Sequence, residues 1–398
     1  MPSSRPVARI NAIASAIPAT DVDSDYRQWA QQQLSDPREA RLFGRMAERS
    51  GIEHRWSVLG ETAGMEPGNF YTRDIPPPTG ERMEVYVREA PMLALRAIAG
   101  LPELGTITHL VVASCTGFVA PGIDQIIARE LGLPGDIERL VVGFMGCYAG
   151  ATALRTASHL VRSDPRARVL VVAVELCSLH LQEDAGLESM LAMAQFSDGA
   201  AAAIVSAEGS GLAIGESLSA SIQGTEELIT WIIGNRGFEM TLSGEVPGRL
   251  ARALAEPELA SKILGGSDAN TIDGWAVHPG GKSILDAVER AFSLPPEALA
   301  ESREVLRACG NMSSATHRNG GQRACSSPPA STMSAARRDR VRQRTRRSAC
   351  ACASCPPPLS LGGSPTPSSS TCSTAGTPGS CCTKTAARTS AWRCASRC

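Results

Sequence analysis

Over its first 316 positions the chain alternates short, β-rich apolar runs with stretches in which apolar residues recur every three or four places. That alternation predicts an α/β protein. The N-terminal MPSSRPVARINAIASAIPAT reads as a first strand, because Asn11, Ser15 and Pro18 break it too often for a secretory leader. Leu110 to Ala113, bounded by turn-forming residues, predicts a buried strand. Ile126, Ile127 and Leu131 then fall on one helical face, and Leu133-Pro134 ends that helix. Leu140-Val141-Val142 predicts the next strand and Gly143 to Gly146 a tight turn. Ala153, Leu154, Ala157, Leu160 and Val161 predict a helix closing at Asp164-Pro165. Val169 to Glu175 predicts another strand. Its greasiest part, Val169 to Val174, falls far short of the ~20 apolar residues that cross a bilayer. A soluble, cytoplasmic protein with no membrane partner is expected.

The pattern occurs twice. Thr106-Ile107 precedes the strand at Leu110, and Thr271-Ile272 precedes a second apolar run, Trp275 to Val277. Each run leads into a glycine-containing turn (TGFVAPG, HPGG) and an amphipathic helix, marked in the second copy by Ile284, Leu285, Val288 and Phe292. Each helix ends at a Leu-Pro, the second at Leu294-Pro295. A further segment then reaches Gly146-Cys147 in one copy and Gly310-Asn311 in the other. The offsets between copies are 165, 161 and 164 residues, so the register hardly drifts. Two βαβ-type halves related by a pseudo-twofold are predicted, spanning 1–206 and 207–316. Cys147 and Asn311 then occupy equivalent positions and approach each other across the axis.

Composition divides the chain differently. The whole has 398 residues, 43% hydrophobic and 20% charged, with a formal net charge of −1, which excludes collagen-like, coiled-coil and fully disordered classes. Residues 317–398, however, hold 12 Arg, one Lys and a single acid, Asp339, so this tail carries +12 and residues 1–316 carry −13. Nine of the 13 Cys lie in the tail, and among its 82 residues Leu, Ile, Val and Phe number three. Such a segment cannot bury enough apolar surface to offset its ordering entropy and is expected to be disordered. Three readings stand: a basic arm for nucleic acid (RRDRVRQRTRR), a thiol metal site (CACASC), or out-of-frame translation of a GC-rich gene. The last is favoured. No paired CxxC spacing or neighbouring histidine supports a metal site, so no metal is expected and nucleic acid is not the expected partner.

Cys147 carries the chemistry. It sits where a strand turns into a helix, at the positive end of a helix macrodipole, a position that lowers a thiol pKa. A thiolate nucleophile also needs a base or ion-pair partner and a stabiliser for a developing oxyanion. His278 follows the strand at Trp275 and precedes Pro279-Gly280-Gly281, where open α/β sheets display functional groups. His180, after the strand at Val169, is a rival that could line the same cavity. Asn311, within GNMSSAT, offers an uncharged amide donor.

Four segments, GFMGCYAGATALR, FSDGAAAAIV, WAVHPGGKSILDAVE and GNMSSAT, resemble the signature segments of the type III polyketide synthases, the chalcone and stilbene synthase family. The resemblance covers roughly residues 5 to 316. It implies the thiolase-like fold, two duplicated halves in a five-layer αβαβα arrangement, acting as a homodimer. It further implies that Cys147 takes a starter acyl group from CoA and holds the growing chain as a thioester. His278 keeps that thiol ionised and, with Asn311, polarises malonyl-CoA for decarboxylation. Phe196 and Met240 match the gatekeeper positions between CoA tunnel and cavity. Cys115, Cys177, His180 and Ser313 shape the cavity, and Ala120 falls where the partner subunit reaches in. Arg49 and Arg55 lie in the stretch that presents cations to CoA phosphates, with solvated surface charge as their other reading. The substrates are CoA thioesters, and no cofactor is implied. Bacterial relatives with fatty acyl starters point to an alkylresorcinol or alkylpyrone product.

The resemblance stops abruptly after Thr316. The family continues with an amphipathic helix and then strands, whereas this chain reads HRNGGQRACSSPP, in which paired Gly and paired Pro forbid a helix. Two further readings therefore accompany the synthase: an inactive truncated remnant, and a β-ketoacyl synthase of fatty-acid type, which uses the same three residue types.

Overall fold

The computed structural model describes residues 6–182 and 186–316. The expectations for 317–398, whether basic arm, thiol metal site or frameshifted segment, lie outside the described residues.

The first half begins with β1 (Arg9–Ala16), β2 (Thr20–Asp21), α1 (Asp23–Gln33), α2 (Pro37–Arg49), β3 (Trp56–Ser57) and the long α3 (Thr79–Ala99). The predicted βαβ run follows as β4 (His109–Ser114), α4 (Ile123–Leu131), β5 (Glu138–Gly143), α5 (Ala149–Ser163) and β6 (Arg168–Leu176). After α6 (Leu187–Met193) comes β7 (Asp198–Ser206). With β8 (Leu212–Ala213) these strands form a six-stranded sheet in the order β5-β4-β6-β7-β1-β8, while β2 and β3 pair separately. β4 runs parallel to both β5 and β6, and the remaining neighbours are antiparallel.

The sheet explains the apolar runs. Along β4 and β6, Leu110, Val112, Leu170, Val172 and Val174 face α3 and α4, whereas Val111, Ala113, Val169, Val171 and Ala173 face α5. A strand covered on both faces reads as a continuous apolar run instead of an alternating one. Each such Val or Leu contributes roughly 1.5–3 kcal/mol when fully buried. β5, at the sheet edge, is covered less: Leu140 and Val141 are each 46% exposed.

The second half adds a hairpin, β9 (Ile229–Gly234) and β10 (Gly237–Leu242), and helices α7 (Val246–Ala255), α8 (Pro257–Ile263), α9 (Lys282–Ala291) and α10 (Ala300–Cys309). Val305, Ala308 and Cys309 of α10 join Ala149, Ala153 and Ala157 of α5 in one apolar cluster, which ties the halves together. The repeat holds for the helix pair α4 and α9 and fails at the next element. Where the first half has strand β5, the second has helix α10. The strand expected at Trp275 to Val277 is likewise not observed as one: among the described residues it pairs with no other strand. Its first-half counterpart β4 is held between two neighbours, one of which is replaced by α10 here. Of the five expected layers, the described residues supply helices, sheet and helices around β4, and α10 packs against the α5 side. No helix among them is long and apolar enough to cross a membrane.

Candidate active site

Cys147 lies between the end of β5 and the start of α5. Phe144 (φ 56°) and Gly146 (φ 76°) both adopt left-handed backbone, which reverses the chain tightly enough to present the thiol. The Gly146 N–H points to the sulfur of Cys115 at 3.2 Å, anchoring the turn to the end of β4. The thiol is hydrogen-bonded by the side chains of Ser313 and Asn311. The sequence predicts a lowered pKa here, and the resting chain shows the opposite: burial pushes the Cys147 thiol up, outweighing those hydrogen bonds, with the nearby Glu175 adding to the rise. Magnitudes explain the reversal. A helix terminus supplies about 0.3–1 kcal/mol, whereas desolvating a thiolate costs more.

Asn311 is nearly inaccessible, at 2% exposure. Its backbone bridges to the first half, donating to the Gln195 carbonyl at 2.8 Å and accepting from the Ser197 N–H at 3.0 Å. Its side chain is held at both ends: Oδ1 accepts from the Ser313 N–H at 2.9 Å, and Nδ2 reaches the Gly280 carbonyl at 3.4 Å. The preceding Gly310 has φ 65°, and a Cβ there would lie 3.0 Å from the Gln195 carbonyl oxygen and 3.1 Å from Cγ of Arg55. Only glycine lets this segment approach so closely. His278 borders the same glycine as Asn311: a Cβ on Gly280 would sit 3.6 Å from Cδ2 and 3.7 Å from Nε2 of its ring. The structure thus brings Cys147, Ser313 and Asn311 together by hydrogen bonds, and His278 to Asn311 through Gly280.

Two buried acids escaped the sequence reading. Glu175, next to last in β6, is 0% exposed, and its Oε2 accepts from the Cys115 N–H and the Thr116 Oγ1, each at 2.9 Å. Its Oε1 accepts from Ser314 Oγ, so one carboxyl joins the end of β4 to the segment beside Asn311. Burial raises its pKa to about 7. Asp198, at the start of β7, accepts from the Ser178 and Val58 N–H groups at 2.7 and 2.9 Å, and burial lifts it to about 6. The available signal was an acid at the end of an otherwise apolar strand, a position acids occupy only when paired or hydrogen-bonded.

The other expected site residues divide. Phe196 and Cys177 belong to one buried cluster with Tyr26, Tyr71 and Met193, against which Cys147 and Met240 pack. A cavity of about 40 Å³ opens among Tyr26, Cys177, Met193 and Phe196. Cys115 and Cys177 are buried; burial pushes the Cys115 thiol up to about 12 and Cys177 well above its ordinary value. His180 is not available as a base. Its Nε2 donates to the Thr116 carbonyl at 2.8 Å, its Nδ1 accepts from the Phe238 N–H at 3.0 Å, and its ring stacks on Phe238 at 4.1 Å. Fully buried, it is pushed down to about 3 and stays neutral. Arg49 is exposed at the end of α2, one turn beyond the exposed Arg45. Arg55 departs from the expected surface role: it is 4% exposed, its Nε pairs with Asp23 at 2.7 Å, and its Nη1 donates to the Met193 and Phe196 carbonyls. It braces the wall carrying Phe196 and does not face solvent. Among the described residues no group of three or more His, Cys, Asp or Glu could hold a metal ion.

Residues 3–209 match the family model for the N-terminal domain of chalcone and stilbene synthases, and residues 214–317 match that for the C-terminal domain. The chain is 32% identical over 319 residues to the alpha-pyrone synthesis polyketide synthase-like Pks18 of Mycobacterium tuberculosis, covering 77% of this chain and 80% of that one. The Mycobacterium bovis protein of the same description matches equally. The crystal structure of the C-terminal type III polyketide synthase domain of Steely1, a type I/III hybrid from Dictyostelium, superposes with a TM-score of 0.67 at 27% identity, covering 78% of this chain and 89% of that one. With both family models matched in order across the two halves and a relative 32% identical over most of its length, the chain belongs to the chalcone and stilbene synthase family of type III polyketide synthases.

Proposed function

We propose that the chain extends an acyl starter by decarboxylative condensation with malonyl-CoA, with Cys147, His278 and Asn311 as the catalytic residues. The thiolate of Cys147 attacks the thioester carbonyl of the starter acyl-CoA, and CoA leaves as the thiol. His278 takes the thiol proton. Malonyl-CoA then loses carbon dioxide, and the electron pair released becomes an enolate whose oxygen is stabilised by the amide Nδ2 of Asn311 and the imidazole of His278. The enolate carbon attacks the Cys147 thioester, forming the new carbon–carbon bond and releasing the sulfur. The observation that carries the reading is the Asn311 side chain on the Cys147 thiol, held by a backbone bridge between halves.

A pyrone-type product is supported by the resemblance to Pks18, described as an alpha-pyrone synthesis protein; a fatty acyl starter is the family-based reading that goes with it. Arg49, on the exposed face of α2, supports CoA binding. A homodimer is supported by the edge strand β5, where Leu140 and Val141 are exposed, and by the exposed Phe144 just after it, whose ring lies 5.4 Å from that of the exposed Phe118. That Trp275 to Val277, immediately before His278, pairs with no strand among the described residues favours the second reading, a catalytically silent remnant. Incubating the purified chain with malonyl-CoA and a long-chain acyl-CoA separates the two. Synthase activity predicts carbon dioxide release that is lost in a His278→Ala, Asn311→Ala double variant, and triketide or tetraketide pyrones by mass spectrometry that are abolished in Cys147→Ala. No decarboxylation above that double variant, together with no pyrone, would establish the remnant.

A further inference from the structure

The second half contains a cleft of about 600 Å³ whose lining includes Ile272, Trp275, Val277, Leu294, Val305 and the last described residue, Thr316. Along it, among the described residues, neither Trp275 nor Ala276 makes a backbone hydrogen bond, and the Val277 N–H reaches only the Ser302 hydroxyl, at 3.2 Å. Trp275 and Val277 pack inward on the cluster around Leu285 and Leu299, while Ala276 is exposed. A stretch of β-forming sequence with one face packed and its backbone polar groups open is an acceptor for strand addition.

The internal duplication says what chemistry fits. In the first half the counterpart strand, β4, pairs in parallel with β6 over five positions, His109 with Val169 through Ala113 with Ala173. β6 reads RVLVVAVEL and is buried almost throughout. At the 164-residue offset of the repeat, positions 332–340 read TMSAARRDR, with three Arg and no β-branched aliphatic residue. That composition cannot supply the apolar, β-branched side chains such a cleft would bury.

We propose that this cleft is a binding site for a β-strand supplied by another polypeptide: an extended, β-branched segment of the chemistry of β6, adding in parallel alongside Trp275–Val277. Main-chain pairing supplies the affinity, and the pockets beside Trp275 and Val277 select aliphatic side chains. The site stands independently of catalysis, since its lining includes none of Cys147, His278 and Asn311.

The test titrates the full chain into a fluorescein-labelled synthetic copy of residues 168–176 flanked by lysines, read by fluorescence anisotropy. Saturable binding is expected, with at least a tenfold loss of affinity when proline replaces the central Val172 in the peptide. Ala276→Pro in the protein is expected to weaken binding similarly with an unchanged melting temperature, because Ala276 is exposed and its amide has no partner among the described residues. A peptide bearing serine at every valine controls for non-specific adhesion and is expected not to bind. Absence of saturable binding up to about 100 μM, roughly −5.5 kcal/mol of affinity, or binding that neither proline weakens, overturns the proposal.

Discussion

Replacing Glu175 by Gln isolates the energetics of the buried carboxyl that ties β4 to the segment beside Asn311. In the folded chain burial lifts Glu175 from an ordinary 4.5 to about 7, corresponding to about 3 kcal/mol in favour of its neutral form. The sign follows from proton binding. Between pH 4.5 and 7 the folded state binds more protons at this residue than the unfolded state, so stability from Glu175 is full below 4.5 and is lost as pH rises through 7. Gln cannot titrate, but its amide nitrogen faces either the Cys115 N–H and Thr116 hydroxyl or the Ser314 donors. One mismatched buried donor costs about 1–3 kcal/mol at every pH. Glu175→Gln is therefore expected to be less stable than wild type near pH 4.5 by about that amount. It is expected to draw level or become the more stable form by pH 8. Urea unfolding of both proteins from pH 4.5 to 8, followed by circular dichroism, gives the difference directly, and other titrating groups cancel in the comparison. A stability difference constant across that range, or wild type gaining on the variant as pH rises, would refute the account.

Gly310→Ala is expected to destabilise by on the order of 2 kcal/mol or more, since φ 65° is strained for Ala and its Cβ would press on the Gln195 carbonyl; a thermal melt within 1–2 °C of wild type would contradict this. His180→Leu leaves the Phe238 N–H and the Thr116 carbonyl without their imidazole partner and should cost roughly 2–4 kcal/mol at pH 7.5. Because folding pushes His180 from 6.5 down to about 3, its contribution is present above 6.5 and declines as pH falls. The gap between wild type and variant should therefore narrow toward pH 5, and denaturant titrations at the two pH values check it.

Legibility tracked burial. β4, β6 and α5 could be read from the chain because a doubly covered strand and a helix facing one sheet each impose a pattern on neighbouring residues. The missing ladder at Trp275 to Val277 among the described residues could not, because a ladder depends on partners far away in sequence. The replacement of the β5 counterpart by α10 was also hidden, as the copy-to-copy spacing survives a change of element. Arg55 reads as surface charge until Asp23, 32 residues earlier, is found beside it. His180 reads as a candidate base until Thr116 and Phe238 occupy both ring nitrogens. Cys147 and Asn311 were accessible as a pair because the duplication gives them equivalent positions. The thiol's resting ionisation was not, because it is set by surroundings contributed from both halves.

The two halves deliver their groups from opposite helix poles, and the electrostatics suit each one. Cys147 precedes the N-terminus of α5, where partial positive charge favours a thiolate. Asn311 follows the C-terminus of α10, beyond the capping Gly310, where partial negative charge would oppose an anion but suits a neutral amide donor. The helix end alone is too weak to ionise a buried sulfur, and burial leaves the thiol above its ordinary value. Ionisation therefore requires a cation, and under the proposed mechanism His278 becomes that cation by accepting the proton. An imidazolium close to a thiolate lowers its pKa by about 1–3 units. His278→Ala should accordingly move the pH midpoint of Cys147 alkylation by iodoacetamide upward by at least about one unit, with Cys147→Ala defining the background. Asn311→Ala provides the contrast, because it removes a hydrogen bond to the sulfur but no positive charge and should shift the midpoint less. If His278→Ala leaves the midpoint where it was, the imidazole is not the thiol's partner, and the assignment of base to His278 fails even if decarboxylation persists.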